Sequence, residues 1–445
     1  MVAIIGAGIT GLVAAWRLKQ SGHEVVVLEA SDRAGGNIRS VKHGPYLLEV
    51  GPNSLQLNDP LFEVLKELKL HKDILKAEKA AKYRYILKKG KYRKLPTGPM
   101  SLVFGSTFSL GTKWRIMRES KQPVEEIPHE TLDHFARRRL GDELTDYGVY
   151  PFISGIYAGD PSKLLVETAF PRLKVWEREF GSLIKGVSHA AKQQKHRGTF
   201  SFANGLEHLV HALAHQASDA LRLNTRVSQM TVLSDGGYEL TLETQRGTNT
   251  LQASHVISTI PAHTLAGILS PDNTKAQESL NQVHYPPVSM VHSAYRREDV
   301  AHKLDGFGAL HNRLEPSNSL GTIFSSTVFK GRCPEDEVLL TTFVGGSIVP
   351  HQAMQLDDQL LEGVNEDHRR FLGITGKPIF QRITRWPKAI PQYDEDILPT
   401  HALEQPFEAQ QLFLGGNWIG GIAVPACIER GKWLAQRVGD LAELK

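Results

Sequence analysis

Three glycines and one carboxylate carry the first chemistry that the chain offers. Gly6, Gly8 and Gly11 stand at G-x-G-x-x-G spacing, and Glu29 closes a second apolar run. Glycines so placed allow a tight turn at Gly6, approach of a pyrophosphate at Gly8 and close helix–strand packing at Gly11. A carboxylate about 20 residues on accepts hydrogen bonds from a ribose diol. This set describes a dinucleotide site. A second glycine pair follows in Arg33-x-Gly35-Gly36-x-x-Arg39-Ser40, where a nicotinamide site has no need of one.

These residues need rigid elements to hold them. The apolar run at 2–5 predicts a buried strand, and 12–20 a helix whose free N–H groups face the pyrophosphate. Ser21-Gly22 ends that helix, and 25–28 predicts the strand that delivers Glu29. Asp59-Pro60 opens a helix with Leu61, Val64, Leu65 and Leu68 on one face. Basic and aromatic residues alternate over 82–94, a hairpin turning at Gly90. Leu95-Pro96-Thr97-Gly98-Pro99 then leads to an apolar patch, Leu102-Val103-Phe104, and on to Lys113–Arg118. Mixed basic and apolar side chains of this kind suit an anionic membrane surface, the carboxylates of an acidic ligand, or a plain solvated basic face. Helices are predicted at 131–141, 147–158 and 164–176, and a strand at 199–202.

The residues at 221–227 read as one short strand returning to the first fold, followed by a meander at 238–242 and 248–253 broken at Asp235-Gly236-Gly237. A buried strand at 255–260 stops at Pro261. Strands at 288–295, 320–325 and 338–344 suggest the sheet floor of a substrate domain, with a helix over 368–372. The run Leu412-Phe413-Leu414 returns to the first domain and enters glycines 415, 416, 420 and 421 before the last helix.

The chain has 445 residues, 41% hydrophobic and 22% charged, room for two or three domains with real cores. A net charge of +4 does not call for nucleic acid. Two isolated cysteines, Cys333 and Cys427, imply a reducing compartment rather than a disulfide framework. The chain shows no secretory signal pattern and no run of about 18 apolar residues, so a cytoplasmic protein is expected. The histidines are scattered without H-E-x-x-H spacing, so no metal and no side-chain acid or base is assigned.

The segments Gly35-Gly36-Asn37-Ile38-Arg39-Ser40, Leu95-Pro96-Thr97-Gly98, Phe135–Gly141, Ile156–Pro161, Ala169-Phe170-Pro171, Ile390–Tyr393 and Gly420–Val424 occur in this order. Together they resemble the oxygen-dependent protoporphyrinogen/coproporphyrinogen oxidases of the FAD-dependent amine oxidase superfamily. The resemblance implies an α/β fold: a Rossmann-type FAD-binding domain (1–75, 195–270 and 390–445), an inserted helical membrane-associating domain (76–190) and a mixed-sheet substrate domain (271–389). It assigns non-covalent FAD to Gly6, Ala7, Gly8, Ile9, Thr10, Gly11, Glu29 and Ala30, then to Arg33, Gly35, Gly36, Asn37 and Ile38. Further flavin contacts are implied for Gly51, Pro52, Asn53, Val227, Trp386, Gly416, Asn417, Ile422, Ala423 and Val424. The last helix would turn its positive end to the flavin N1–C2=O edge.

Substrate residues implied are Arg39 and Arg84 for propionates, and Phe307, Gly308, Leu310, Phe343 and Val344 around the macrocycle. The reaction implied is six-electron oxidation of protoporphyrinogen IX to protoporphyrin IX, a late step of haem biosynthesis, with hydride passing to flavin N5 and molecular oxygen becoming hydrogen peroxide. Asn37 stands where some relatives carry an aromatic residue, which leaves coproporphyrinogen III open as the substrate. An amine oxidase, a carotenoid desaturase and a non-catalytic FAD-binding scaffold are more distant readings. Peripheral contact with the inner face of the cell membrane, a homodimer and a ferrochelatase partner are also expected.

Overall fold

Short apolar strands with glycine exits build the first layer. In the computed structural model, which describes residues 1–96, 105–234 and 236–443, Val2–Ile5 is flanked in parallel by Val25–Leu28 and His255–Ser258. Leu221–Arg222 and Leu412–Leu414 complete a five-stranded sheet. Strands buried on both faces read as unbroken apolar runs, as Val2–Ile5, Val25–Leu28 and Leu412–Leu414 do. The first helix, Ile9–Gln20, and the last, Val424–Glu443, share one core: Leu12, Val13 and Trp16 pack in a cluster with Ile428, Leu434 and Val438. The two ends of the chain therefore meet.

The run 221–227 is not one strand. Asn224 takes a left-handed φ of 50° and splits it into Leu221–Arg222 and Thr225–Val232. The second piece leaves the parallel sheet and heads the three-stranded antiparallel meander with Tyr238–Thr244 and Gly247–Ala253. Val227 therefore belongs to the meander. Strand Phe380–Trp386 was not foreseen; its polar Gln381, Arg382 and Arg385 mask the β pattern.

A seven-stranded sheet lies beside this unit. Its order is Phe380–Trp386, Val288–Arg296, Glu337–Gly345, Gly321–Ile323, Gly308–Leu310, Tyr85–Lys88 and Lys91–Lys94. The basic hairpin forms as expected, with Lys89 and Gly90 both at positive φ. It does not stay with the helices of 76–190: Tyr85 and Ile86 pair with Ala309 and Leu310 and extend the substrate sheet. Residues 274–282 likewise join the first unit, since Ala276 and Leu280 share a core with Ala262 and Leu265.

Helices dominate residues 110–193. Their centre is held by charge: Arg138, Arg139 and Lys174 are largely or fully buried against Glu119, Glu130 and Glu177. Buried ions persist where each is paired and hydrogen-bonded, and removing one partner strands the others. Among the described residues no helix is long and apolar enough to cross a membrane. Thr97-Gly98-Pro99, Leu102-Val103-Phe104 and Asp235 lie outside the described residues.

Candidate active site

The glycine turn is shaped as its spacing demands. Gly6 has φ +100°, and its N–H donates to the Leu28 carbonyl at 2.8 Å. A Cβ on Gly11 would overlap the Gly6 carbonyl oxygen, so helix and strand approach only because that residue is glycine. A Cβ on Gly8 would meet nothing within 4 Å, so this position opens on free space at a helix N-terminus. That is the opening a pyrophosphate requires. Ile9 and Thr10 are buried in the helix that follows. Glu29 accepts from Ala7 N–H at 2.7 Å and from Ser31 N–H at 2.9 Å, which holds its carboxylate at the turn with lone pairs to spare. Ala30 follows it at the surface edge. Val227 is buried, and its segment runs alongside: Thr225 N–H donates to the Glu29 carbonyl and Asn224 N–H to that of Ser31.

The second glycine pair lies against the first motif. Gly35 N–H donates to the Ala7 carbonyl at 2.8 Å, and Gly36 approaches Gly8. Arg33 folds back on this loop, donating to Gly36 at 2.6 Å and to Ala34 at 3.1 Å, so its guanidinium braces the turn. Asn37 and Ile38 continue from it. A Cβ on Gly51 would overlap the Asn37 carbonyl, which fixes the Gly51-Pro52-Asn53 segment against that run. Asn53 caps Gly51 through its side-chain amide at 3.0 Å.

The closing turn touches the opening one. A Cβ on Gly415 would press on Thr10 and Leu434. Gly416, Gly420 and Gly421 all have φ between +90° and +112°. Tyr393 ties the turn: its hydroxyl donates to the Asn417 carbonyl at 3.0 Å and accepts from Gly421 N–H at 2.8 Å. Ile422, Ala423 and Val424 lead from there into the last helix, with Ala423 exposed. Cys427 is buried, and burial pushes its thiol up to about 11, so it is a poor nucleophile toward a flavin.

Facing these turns is one side of the seven-stranded sheet. Register partners share a face, and neighbours along a strand do not. Leu310 pairs with Gly321, and Gly321 with Phe343. Gly308 pairs with Ile323, Ile323 with Thr341, and Thr341 with His292. Trp386 lies on this face as well, through Val288. Val344 must point the other way. It packs with Val291, Leu360 and Val364 beneath the helix Asp357–Leu372, so it does not share a chamber with Phe343.

Two side chains of that face grip the first unit. His292 hydrogen-bonds the Glu49 carbonyl at 3.1 Å, and the Trp386 indole donates to the Val50 carbonyl at 2.9 Å. Trp386 is thereby a strut beneath Gly51. His292 is fully buried and burial lowers it to about 4, so it is neutral and donates from Nε2. A third tie, Arg332, donates to Ser201 Oγ at 2.7 Å and lies 3.6 Å from Glu49. Burial raises the Glu49 carboxyl, while Ser40 and Arg332 hold it down. Sequence reading missed His292, Glu49 and Arg332. A lone histidine inside the apolar strand at 288–295 was the available signal.

Arg84 precedes the strand Tyr85–Lys88, with its guanidinium 4.9 Å from the centre of the Phe307 ring. Burial lowers its pKa, and it has no carboxylate partner among the described residues. Opposite, Gly155 of the helix Tyr150–Tyr157 gives room to Leu310, since a Cβ there would overlap the leucine. Arg39 is exposed; its carbonyl accepts from Val50 N–H at 3.0 Å. The structure gathers Arg84, Phe307, Gly308, Leu310 and Phe343 at the sheet. It does not bring the Arg39 side chain into contact with them.

The family model described as flavin containing amine oxidoreductase matches residues 9–439. The chain is similar to "Protoporphyrinogen oxidase, chloroplastic" of Nicotiana tabacum, 35% identical over 98% of this chain and 84% of that one. It is also similar to "Coproporphyrinogen III oxidase" of Bacillus subtilis, 30% identical over 97% of this chain and 96% of that one. A solved structure from Exiguobacterium sp. 255-15 superposes with a TM-score of 0.80 over 99% of this chain and 98% of that one, at 23% identity, which shows the shared fold. With the glycine turn, Glu29 and the closing turn brought together, the chain belongs to the flavin containing amine oxidoreductase family and is a flavin-dependent oxidoreductase.

Proposed function

We propose that this chain oxidises protoporphyrinogen IX to protoporphyrin IX with molecular oxygen, using non-covalently bound FAD. The observation that carries the reading is Arg84. A half-buried guanidinium without a carboxylate partner among the described residues is partly desolvated, and that cost is recovered when an anion arrives. Stacked on Phe307 beside an apolar sheet face, it suits a large flat apolar ligand with an acidic edge.

When bound, the flavin supplies hydride acceptance from a bridging methylene and its own reoxidation by oxygen. The chain does the rest. Gly6, Gly8, Gly11 and Glu29 hold the dinucleotide half. Gly35, Gly36, Gly51 and Asn53 line the run toward the ring, and Gly416 to Gly421 close over its other edge. Val227 lies by the adenine end. His292 and Trp386 set the height of the Gly51 segment above the sheet. Phe307, Leu310 and Phe343 bracket the macrocycle and exclude water, and Arg84 orients a propionate. Arg39, being exposed, acts at the entrance in steering an acidic substrate rather than in holding it. No side-chain acid or base is required.

Residues 1–75, 195–283 and 390–445 form the cofactor unit in this reading, and 284–389 with the hairpin 85–94 form the substrate sheet. The helical remainder meets the membrane. Leu110, Trp114 and Met117 expose one apolar face of the helix Leu110–Met117, next to Arg118, which supports a peripheral contact. A homodimer and handover of product to a ferrochelatase are part of the same proposal.

Coproporphyrinogen III is the second reading. The relative from Bacillus subtilis matches over nearly its whole length, and basic residues crowd the hairpin near Arg84. The test is side-by-side assay of both porphyrinogens by porphyrin fluorescence and oxygen uptake. Faster turnover of the two-propionate substrate supports the first reading. Preference for the four-propionate substrate transfers the proposal to the second, and no turnover of either overturns both.

A further inference from the structure

Among the described residues, the hairpin of Tyr85–Lys88 and Lys91–Lys94 joins the substrate sheet through two register pairs, Ala309 with Tyr85 and Leu310 with Ile86. Its second strand is the outer strand of that sheet. Parallel pairing this short fixes a strand weakly. Arg84 stands at the root of the hairpin. Its carbonyl accepts from Leu95 N–H at 2.8 Å, and the Tyr83 carbonyl accepts from Phe307 N–H at 2.7 Å. The place of the guanidinium is therefore decided by whatever holds the hairpin.

Three side-chain grips come from 305–315, the stretch that brackets the strand Gly308–Leu310. At the root, Asp305 accepts from the Tyr85 hydroxyl, and from Lys94 Nζ at 2.7 Å. At the tip, the two oxygens of Glu315 accept from the N–H groups of Lys89 and Gly90. Between them, His311 Nε2 lies 2.8 Å from the Tyr92 hydroxyl.

The middle grip is buried and braced from behind. His311 is 3% exposed. Its Nδ1 faces the carbonyl of Ser319 at 3.0 Å and the hydroxyl at 3.1 Å. That hydroxyl donates to Asp367 Oδ2 at 2.6 Å, so both Ser319 oxygens accept from Nδ1–H and Nε2 accepts from Tyr92. Burial holds the ring below the ordinary histidine range, and so neutral, against the pull of Asp367. Asn318 N–H bonds the same carboxylate at 3.0 Å. A chain of hydrogen bonds thus runs from the helix Asp357–Leu372 through Asp367, Ser319 and His311 to the outer strand. Buried polar chains with every member paired rigidify a core and specify one arrangement of it. Tyr85 packs with Ala309, Leu340 and Leu372, and Tyr92 packs against that cluster, on the face turned away from Leu310 and Arg84. The grip therefore acts without touching the chamber.

We infer that His311 is a positioning residue for Arg84: through Tyr92 it fixes the outer strand, and with it the place where the guanidinium meets an acidic edge of the substrate. This rests on the reading of Arg84 as the propionate anchor.

The test uses the full flavin-loaded chain and initial-rate porphyrin fluorescence with two substrates, protoporphyrinogen IX and its dimethyl ester. The ester keeps the macrocycle and lacks the carboxylates. Tyr92→Phe and His311→Asn each break the grip; they should raise KM for the acid roughly 2- to 10-fold, keep its kcat within about twofold, and leave KM for the ester unaltered. His311→Gln places an amide oxygen where Nε2 stood and should bring KM back toward the parent value. In an Arg84→Ala background, Tyr92→Phe should add nothing. Equal rises for acid and ester, or a further rise on top of Arg84→Ala, would make the chain of bonds merely structural and overturn the proposal. If Arg84→Ala raises KM for the acid while Tyr92→Phe and His311→Asn do not, the proposal falls and the anchor reading stands. If Arg84→Ala itself leaves that KM unchanged, the anchor reading falls and the proposal falls with it.

Discussion

Arg84→Ala separates binding from folding, because the arginine is half-buried at a cost that the free protein does not recover. Burial lowers its pKa and no acidic side chain among the described residues answers it. The stacking on Phe307 at 4.9 Å contributes about 0.5–2 kcal/mol. Relief of guanidinium desolvation offsets a loss of that size, so the folded state should change by no more than about 1 kcal/mol. For a chain of this length that moves the thermal midpoint by about 1 °C. A charge-assisted bond from guanidinium to propionate is worth about 1.5–3 kcal/mol, and its loss raises KM by roughly 10- to 150-fold. Arg84→Lys keeps the charge and loses the planar fork, so its KM should fall between the two. The assay is initial-rate porphyrin fluorescence with the thermal midpoint measured on the same preparations. The reasoning is refuted if KM is unchanged, and equally if the midpoint drops by many degrees, because the residue would then be structural.

Gly11→Ala should yield protein without its yellow flavin absorbance, since the new Cβ overlaps the Gly6 carbonyl; a fully loaded variant would count against the cradle. Tyr393→Phe leaves Gly421 N–H and the Asn417 carbonyl without their shared hydroxyl. Flavin affinity should fall by about 1–3 kcal/mol, roughly 5- to 150-fold by fluorescence titration, while the fold persists. Stability should decline as pH falls from 6.5 toward 4. His292 and His368 are buried neutral and depressed to about 4 and about 3, whereas the unfolded chain protonates both near 6.5. The unfolded state then binds more protons, which costs about 2 kcal/mol per histidine at pH 5. His292→Gln should flatten part of the pH dependence of the thermal midpoint, and an unaltered slope would exclude it as the source.

The elements that sequence disclosed are those whose geometry is local. Gly6, Gly8 and Gly11 act within one turn, and Leu61, Val64, Leu65 and Leu68 are placed by helical period alone, so both sets match the fold. Gly90 reverses its hairpin for an equally local reason. What escaped depends on partners far along the chain. Where the hairpin 85–94 goes is decided by Ala309 and Leu310, not by its own residues. The family resemblance set Val344 beside Phe343 at the macrocycle, yet strand alternation sends it to the opposite face. Asn224 broke a strand that looked continuous, since its left-handed backbone leaves no mark in an apolar pattern.

The same distinction explains how a cofactor site made by one unit is tuned by another. Glu49 and Val50 end a strand of the first unit, and their carbonyls would be free to shift if water were their partner. His292 and Trp386, from two neighbouring strands of the substrate sheet, take those carbonyls instead. Arg332 adds a grip on Ser201 next door. The segment Gly51-Pro52-Asn53 is consequently hung from the substrate sheet at one end and pressed on Asn37 at the other. Any displacement of the sheet that bears Phe307, Leu310 and Phe343 would drag this segment with it. The distance between a bound macrocycle and the flavin is then set by hydrogen bonds between rigid elements, and hydride transfer is steep in such a distance. The scaffold supplies that distance through polar groups buried at the seam between the two units, Glu49, His292 and Arg332.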